Sequence, residues 1–420
     1  MDHLKTPEER ENRWYAKHIK PQYTRVDTLD LERIKQAAYQ DKNEKFCSST
    51  IPGIPASLLH RDETKQFLKS HLQHHGFLVI QRALNESEIN HSLNLCWDWL
   101  ETASLAERFL QTGSCSEPKT DENEHEPPVR RGQRHTYNSK YYPRSVEGKI
   151  FPFYGSGHSS FMWFLRSHPL VQDIFATIHD TTREDLLTSL DGFILWNEMD
   201  DNGDYDRGWF HIDQNPQKKP EFESIQGLVN LLPVTSDTGG NALLIGSHRL
   251  FPEHYLQSND NKIFYKERLK EIDGDDWLEV DPHDNVLFQS GSVVTCLLEP
   301  GDVLIWDSRT VHCSYPSEEK MQRKGSTPLQ SHGLIRAAGL INMIPRGKCS
   351  QAIRNERLKA IDSSRTLTHW VDKAAPLGEE RSEDADKEDR CVGYMKTQQK
   401  HMNKVLLSYE DLSAAQKQLV

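Results

Sequence analysis

The spacing of apolar residues changes character twice along this chain. At first it is helical. Apolar side chains recur between Asp62 and His75 and stop at Gly76, a residue suited to ending a helix, and Phe77-Leu78-Val79-Ile80 follows as a short strand. Between Glu86 and Leu100, the residues Ile89, Leu93, Cys96, Trp97 and Leu100 fall on one side of an amphipathic helix, and Leu29 to Tyr39 gives a weaker helical hint. From about residue 188 the texture becomes short apolar runs between turn signals. The predicted strands are Leu190–Trp196, Trp209–Asp213, Ile225–Leu232, Ala242–Ile245, Val293–Leu298, Asp302–Trp306 and Leu334–Ile344, with tight turns at Asp237-Thr238-Gly239-Gly240 and Pro300-Gly301-Asp302. Beyond residue 347 the pattern returns to helix, and the acidic stretch from Glu379 to Asp389 reads as a solvated loop.

Many short, evenly punctuated strands predict a sandwich or jelly roll, so the fold class is mainly β with surrounding helices. Three segments are expected: a helical N-terminal extension over 1–60, a core with inserted loops over 61–346, and a helical C-terminal extension over 347–420 packed on that core. With 420 residues the chain is ample for a large core.

Composition narrows the partners. The formal charge of −12 argues against nucleic acid, which favours a basic face. No run of eighteen apolar residues is present, and the polar Met1-Asp2-His3-Leu4-Lys5 is unlike a signal peptide, so neither membrane nor secretion is expected. Seven cysteines, an odd number without any Cys-x-x-Cys, suit reduced thiols in the cytoplasm rather than a disulfide framework. The C-terminal Gln418-Leu419-Val420 is not a peroxisomal address.

The chemistry concentrates at His211-Ile212-Asp213 and, about a hundred residues on, His312. In a strand, residues i and i+2 share a face, so His211 and Asp213 can grip one ion while Ile212 points away. A second His then completes a two-His-one-carboxylate triad, which leaves coordination positions on Fe(II) open. His60-Arg61-Asp62 repeats the spacing, but Asp62 there reads as the N-cap of the helix that follows. His71, His74 and His75 stand at helical spacing without a carboxylate or cysteine partner, which suits a polar helix end better than a metal site.

Set side by side, these stretches resemble the phytanoyl-CoA dioxygenase family of Fe(II)/2-oxoglutarate oxygenases. The matching segments are His74 to Ile80, Trp209 to Pro216, Gln226 to Pro233, Gly239 to His248, Pro300 to His312 and the strand of Arg336, together spanning roughly residues 70–346. The resemblance implies a double-stranded β-helix with His211, Asp213 and His312 as iron ligands, with 2-oxoglutarate and O₂ as cosubstrates. It also implies oxidation of a small organic molecule with release of succinate and CO₂, and Asp213 favours an oxygenase outcome over halogenation. An arginine after the distal histidine then pairs with the far carboxylate of 2-oxoglutarate, guanidinium and carboxylate being matched forks. Arg336 is the best match, although it stands 24 residues beyond His312 (336 − 312), across an inserted Ser317 to Ser331. Arg346 is a rival. Arg309, if in the strand of His312, points the other way. Ser314 would share the same carboxylate, and His248 looks structural. Two other functions stay open: a jelly-roll binding or regulatory protein without turnover, and a cupin-like metal isomerase or hydrolase that needs no 2-oxoglutarate.

Substrate identity is not readable. The segments 111–149, 251–290 and 315–332 lack strand character, and each is a candidate lid. Tyr137, Tyr141, Tyr142 and several arginines make 111–149 the first choice.

Overall fold

Strands rather than helices organise the chain. The computed structural model describes residue 19 and residues 21–40, 50–112, 127–137, 139–197, 209–256, 263–272, 276–288, 293–315, 333–377, 382–398 and 404–420. These hold strands β1 (Gln22–Thr28), β2 (Thr50–Pro55), β3 (Phe77–Gln81), β4 (Ile150–Phe151), β5 (Leu186–Thr188), β6 (Phe193–Asn197) and β7 (His211–Ile212). They continue with β8 (Ile225–Asn230), β9 (Gly240–Leu244), β10 (Leu278–Glu279), β11 (Val293–Leu297), β12 (Val303–Asp307), β13 (His312–Tyr315) and β14 (Leu334–Pro345). The expected architecture is present, a large mixed sheet of the jelly-roll kind with surrounding helices, although more of the described residues lie in helices than in strands.

The chain divides into two compact units that are discontinuous in sequence. One comprises residues 1–83, 202–227 and 233–324, the other 84–201, 228–232 and 325–420.

In the first unit the strand order is β10-β7-β13-β9-β11-β1-β2-β3-β12. β1 runs parallel to both β11 and β2, and β2 parallel to β3, whereas β7, β9, β10 and β13 pair antiparallel. The N-terminal segment, expected to be helical, thus contributes two strands besides the helix Leu31–Gln40. β1 alternates imperfectly between exposed and buried positions, because strands held on both sides take their stability from pairing as well as from a buried face. A core cluster gathers Phe210, Ile212, Ala242, Leu244, Val311, Cys313 and Tyr315, which fixes the buried face of β7, β9 and β13. The period of two then turns His211, His312 and Ser314 to the opposite face.

The helix Asp62–His75 begins with Arg61 as its N-cap, and Asp62 lies in the first turn rather than capping it. Its end is fixed by Gly76 at φ +82°, whose carbonyl accepts the Asp307 amide at 2.9 Å and the Thr310 hydroxyl at 2.9 Å. A Cβ at this position would stand 2.5 Å from both Thr310 Oγ1 and His248 Nδ1.

In the second unit β14 pairs antiparallel with β5 and β6, and β6 with β4. The helix predicted to end near Leu100 continues to Thr112. Against it packs the helix Ser382–Gln398, where the acidic stretch was expected to be a solvated loop. The correction has a plain cause: Cys391, Val392 and Met395 recur at helical spacing and are buried, and Tyr394 stacks on Phe109 with ring centroids 4.7 Å apart. Glu388 is half-buried and accepts the Gly155 amide at 3.0 Å, while Asp386, Lys387, Asp389 and Arg390 stay exposed.

Candidate metal centre

β7 and β13 lie side by side, and their register places His211 directly opposite His312. Directly opposed residues of an antiparallel pair share a face, and the two imidazole centroids are 4.4 Å apart. On its other edge β7 pairs with β10, Glu279 opposite His211 and Leu278 opposite Ile212. Ile212 points into the apolar cluster as expected.

Each histidine is oriented by its own backbone. His211 Nδ1 lies 3.1 Å from the Trp209 carbonyl and His312 Nδ1 lies 2.9 Å from the Thr310 carbonyl. A carbonyl only accepts, so both Nδ1 atoms donate, and the acceptor lone pair of each ring is on Nε2. Both Nε2 atoms approach Asp213: His211 at 3.6 Å from Oδ1 and His312 at 3.3 Å from Oδ2.

Among the described residues, His211, Asp213 and His312 form the group of histidine, cysteine and carboxylate side chains placed to hold an ion, their donor atoms all within 4.8 Å of one another. Ligands about 2.1 Å from an octahedral ion and at right angles stand roughly 3 Å apart, so the three donors need only close in slightly. Two imidazole nitrogens and one carboxylate suit Fe(II), and the residues fit the group. The rings are also shielded, with Trp209 4.0 Å from His211 and Trp306 5.2 Å from His312, centroid to centroid.

The turn between β12 and β13 that delivers His312 is tied at almost every residue. Ser308 N–H donates to the Ser224 carbonyl, Asp213 N–H to the Ser308 carbonyl and Val311 N–H to Ser247 Oγ, at 3.1, 2.9 and 2.9 Å. Arg309 lies in this turn rather than in a strand. Its guanidinium grips Asp307 through Nε (2.9 Å) and Nη2 (2.7 Å), which removes it as a rival for a carboxylate ligand by a different route than expected.

Reading the sequence did not single out Gln226. From β8 it donates its side-chain Nε2–H to Asp213 Oδ2 at 2.8 Å, holding the carboxylate beside the histidines. A glutamine in the otherwise apolar run Ile225-Gln226-Gly227-Leu228-Val229 was the available signal.

The remaining expected residues fall as follows. Ser314 lies on β13 opposite Asn241. Arg336 is buried on β14, its guanidinium carbon 4.4 Å over the Trp196 ring. Arg346 follows β14 in a short 3₁₀ turn and donates to the Gln418 carbonyl. His248 is structural, its Nε2 2.8 Å from the Gln73 carbonyl. His71 stacks on His75 at 4.1 Å, and burial holds it well below the usual histidine range. Of the three candidate lids, residues 113–126 and 316–332 lie outside the described residues. The segment 251–290 is not without strand, since it supplies β10 beside His211 and places Trp277 5.5 Å from Trp209.

Residues 205–325 match the family model described as phytanoyl-CoA dioxygenase, and all three triad residues lie within that span. Ava biosynthesis cluster protein O of Aspergillus versicolor is 29% identical over 194 residues, covering 43% of this chain and 56% of that protein. The match therefore spans little more than half of that relative's length. Among solved structures, the chain is similar to hypothetical protein JW0805 of Escherichia coli, with a TM-score of 0.46 and 12% identity over 92% of this chain and 88% of that one. It is also similar to the epimerase SnoN in complex with Fe³⁺, alpha ketoglutarate and nogalamycin RO, with a TM-score of 0.37 and 14% identity over 76% and 97% of the two chains. The resemblance to the phytanoyl-CoA dioxygenase family holds, across the part of the chain that carries the candidate metal centre. No described helix is long and apolar enough to cross a membrane.

Proposed function

We propose that this chain is an Fe(II)- and 2-oxoglutarate-dependent dioxygenase that oxidises a C–H bond of a small organic molecule, releasing succinate and CO₂. The observation that carries the reading is the convergence of His211, Asp213 and His312 with both imidazoles locked so that Nε2 faces the carboxylate. Bound iron, with 2-oxoglutarate and O₂, supplies the oxidising chemistry. The chain's own part is to hold and to shield. His211 and His312 supply two neutral nitrogen ligands, Asp213 supplies charge, Gln226 steadies the carboxylate, and Trp209 and Trp306 keep water from the rings. Arg336 is proposed to pair with the far carboxylate of 2-oxoglutarate and Ser314 to share it, both on the family resemblance. The name of the Aspergillus versicolor relative, a biosynthesis cluster protein, supports a small-molecule substrate, and a cytoplasmic setting is part of the same reading.

Succinate formation from 2-oxoglutarate, measured with Fe(II) and with an iron chelator, tests the proposal. Chelator-sensitive succinate supports it. Metal-dependent turnover without 2-oxoglutarate would favour a cupin-like isomerase or hydrolase, and ligand binding without turnover a regulatory protein.

A further inference from the structure

β9 lies beside β13 in antiparallel register, with Leu243 opposite His312 and Asn241 opposite Ser314. Ala242 and Leu244 point into the apolar cluster, as do Cys313, opposite Ala242, and Tyr315, opposite Gly240. Asn241 therefore shares the face of His312 and Ser314, one cross-strand diagonal from a metal-ligating residue. Only 8% of Asn241 is exposed, and its amide Nδ2 has no hydrogen-bond partner among the described residues. A buried amide left without an acceptor costs stability, on the order of 1–3 kcal/mol, so a fold that keeps one beside its metal site is prepared for something that accepts.

We propose that Asn241 binds the cosubstrate, donating an Nδ2–H to the far carboxylate of 2-oxoglutarate next to the Ser314 hydroxyl. The inference rests on the dioxygenase reading. Its chemistry is specific: the pocket face at this point offers an amide donor and a hydroxyl with opposed register, a pair that suits one carboxylate group better than an apolar or cationic one. It also predicts an asymmetry. Replacing Asn241 by the similarly sized, apolar leucine removes the orphaned donor, so the ligand-free protein becomes no less stable while its hold on the diacid weakens.

The test is calorimetric titration of the Mn(II)-loaded protein with 2-oxoglutarate and with 2-oxobutanoate, which keeps the 2-oxo acid and lacks the far carboxylate. The wild type should prefer 2-oxoglutarate. In Asn241→Leu that preference should shrink by roughly 10- to 100-fold, the value of a hydrogen bond to a charged group, with 2-oxobutanoate binding unchanged. Asn241→Asp, nearly isosteric but anionic, should lose more. Thermal melting without ligand provides the second readout, and Asn241→Leu should melt no lower than wild type. An unchanged preference in Asn241→Leu overturns the assignment, as does a large drop in its melting temperature, which would make Asn241 structural. If the wild type binds neither acid, the dioxygenase reading falls first and this one with it.

Discussion

Gln226 donates its side-chain amide to Asp213 Oδ2 at 2.8 Å, and the same oxygen stands 3.3 Å from His312 Nε2. The glutamine is thus one step removed from the ion the triad would hold. It limits the rotation of the only charged ligand. Partners of this kind typically change metal affinity by 10- to 100-fold when removed. Gln226→Leu should weaken Fe(II) or Mn(II) binding by roughly that factor, measured by competition with a chromophoric chelator, while leaving 2-oxoglutarate dependence intact once metal is saturating.

Substituting His211, Asp213 or His312 by alanine should each abolish metal-dependent turnover. The folded state should survive, since His211 and His312 lie on the face of β7 and β13 opposite the apolar cluster, and Asp213 follows the end of β7. Metal binding stabilises the native state by mass action, so wild-type melting should rise with added Mn(II) and the three variants should show no such rise. A variant that keeps both the metal-induced shift and turnover sinks the ligand assignment.

Arg336→Ala should raise the 2-oxoglutarate requirement by a large factor, because removing one partner of a desolvated ion pair costs on the order of 3–5 kcal/mol. Arg346 already spends its guanidinium on the Gln418 carbonyl, so Arg346→Ala should leave the KM for 2-oxoglutarate near wild type. The reverse outcome would move the carboxylate partner to Arg346.

Acid should destabilise the protein through buried histidines far from any metal ligand in sequence. Burial holds His158 down at about 3 and His179 down at about 4, both neutral in the folded state. Their unfolded counterparts titrate near 6.5, so the unfolded chain binds more protons between that value and the folded ones. Stability is therefore fully present above pH 6.5 and falls as pH drops toward 4, by up to roughly 1.4 kcal/mol per pH unit for each group. His158→Gln retains a donor for the Arg365 carbonyl, which His158 Nε2 meets at 2.7 Å, and should flatten this slope by about one proton's worth in denaturant unfolding across pH 4–6.5. An identical slope in the variant would place the acid sensitivity elsewhere.

The pairing of His211 with Asp213 could be read from the sequence because strand periodicity puts i and i+2 on one face. His312 was picked out by the resemblance of the Pro300 to His312 stretch to the family, and the structure groups it with the other two. What the chain does not display is register. Gln226 and Asn241 acquire meaning only from which residues face them across a strand pair, and that pairing is decided by contacts distant in sequence. β1 and β2 were missed for a related reason: parallel strands held by neighbours on both edges need no clean alternation. β10 is two residues long, below any periodic signal. The helix Ser382–Gln398 was hidden by its charge, which outnumbers the few buried positions that hold it down.

Gly76 contributes no side chain, yet its carbonyl tethers Thr310, and the Thr310 carbonyl in turn sets the ring of His312. Any β-carbon there would press on Thr310 and on His248. A screen for variants that no longer retain iron should therefore recover residue 76 alongside 211, 213 and 312. Its carriers would look like ligand mutants by every metal assay while keeping all three ligands. The inventory of what holds the ion would then include a position more than 130 residues upstream of the first ligand (211 − 76 = 135), recognised by the space it leaves empty.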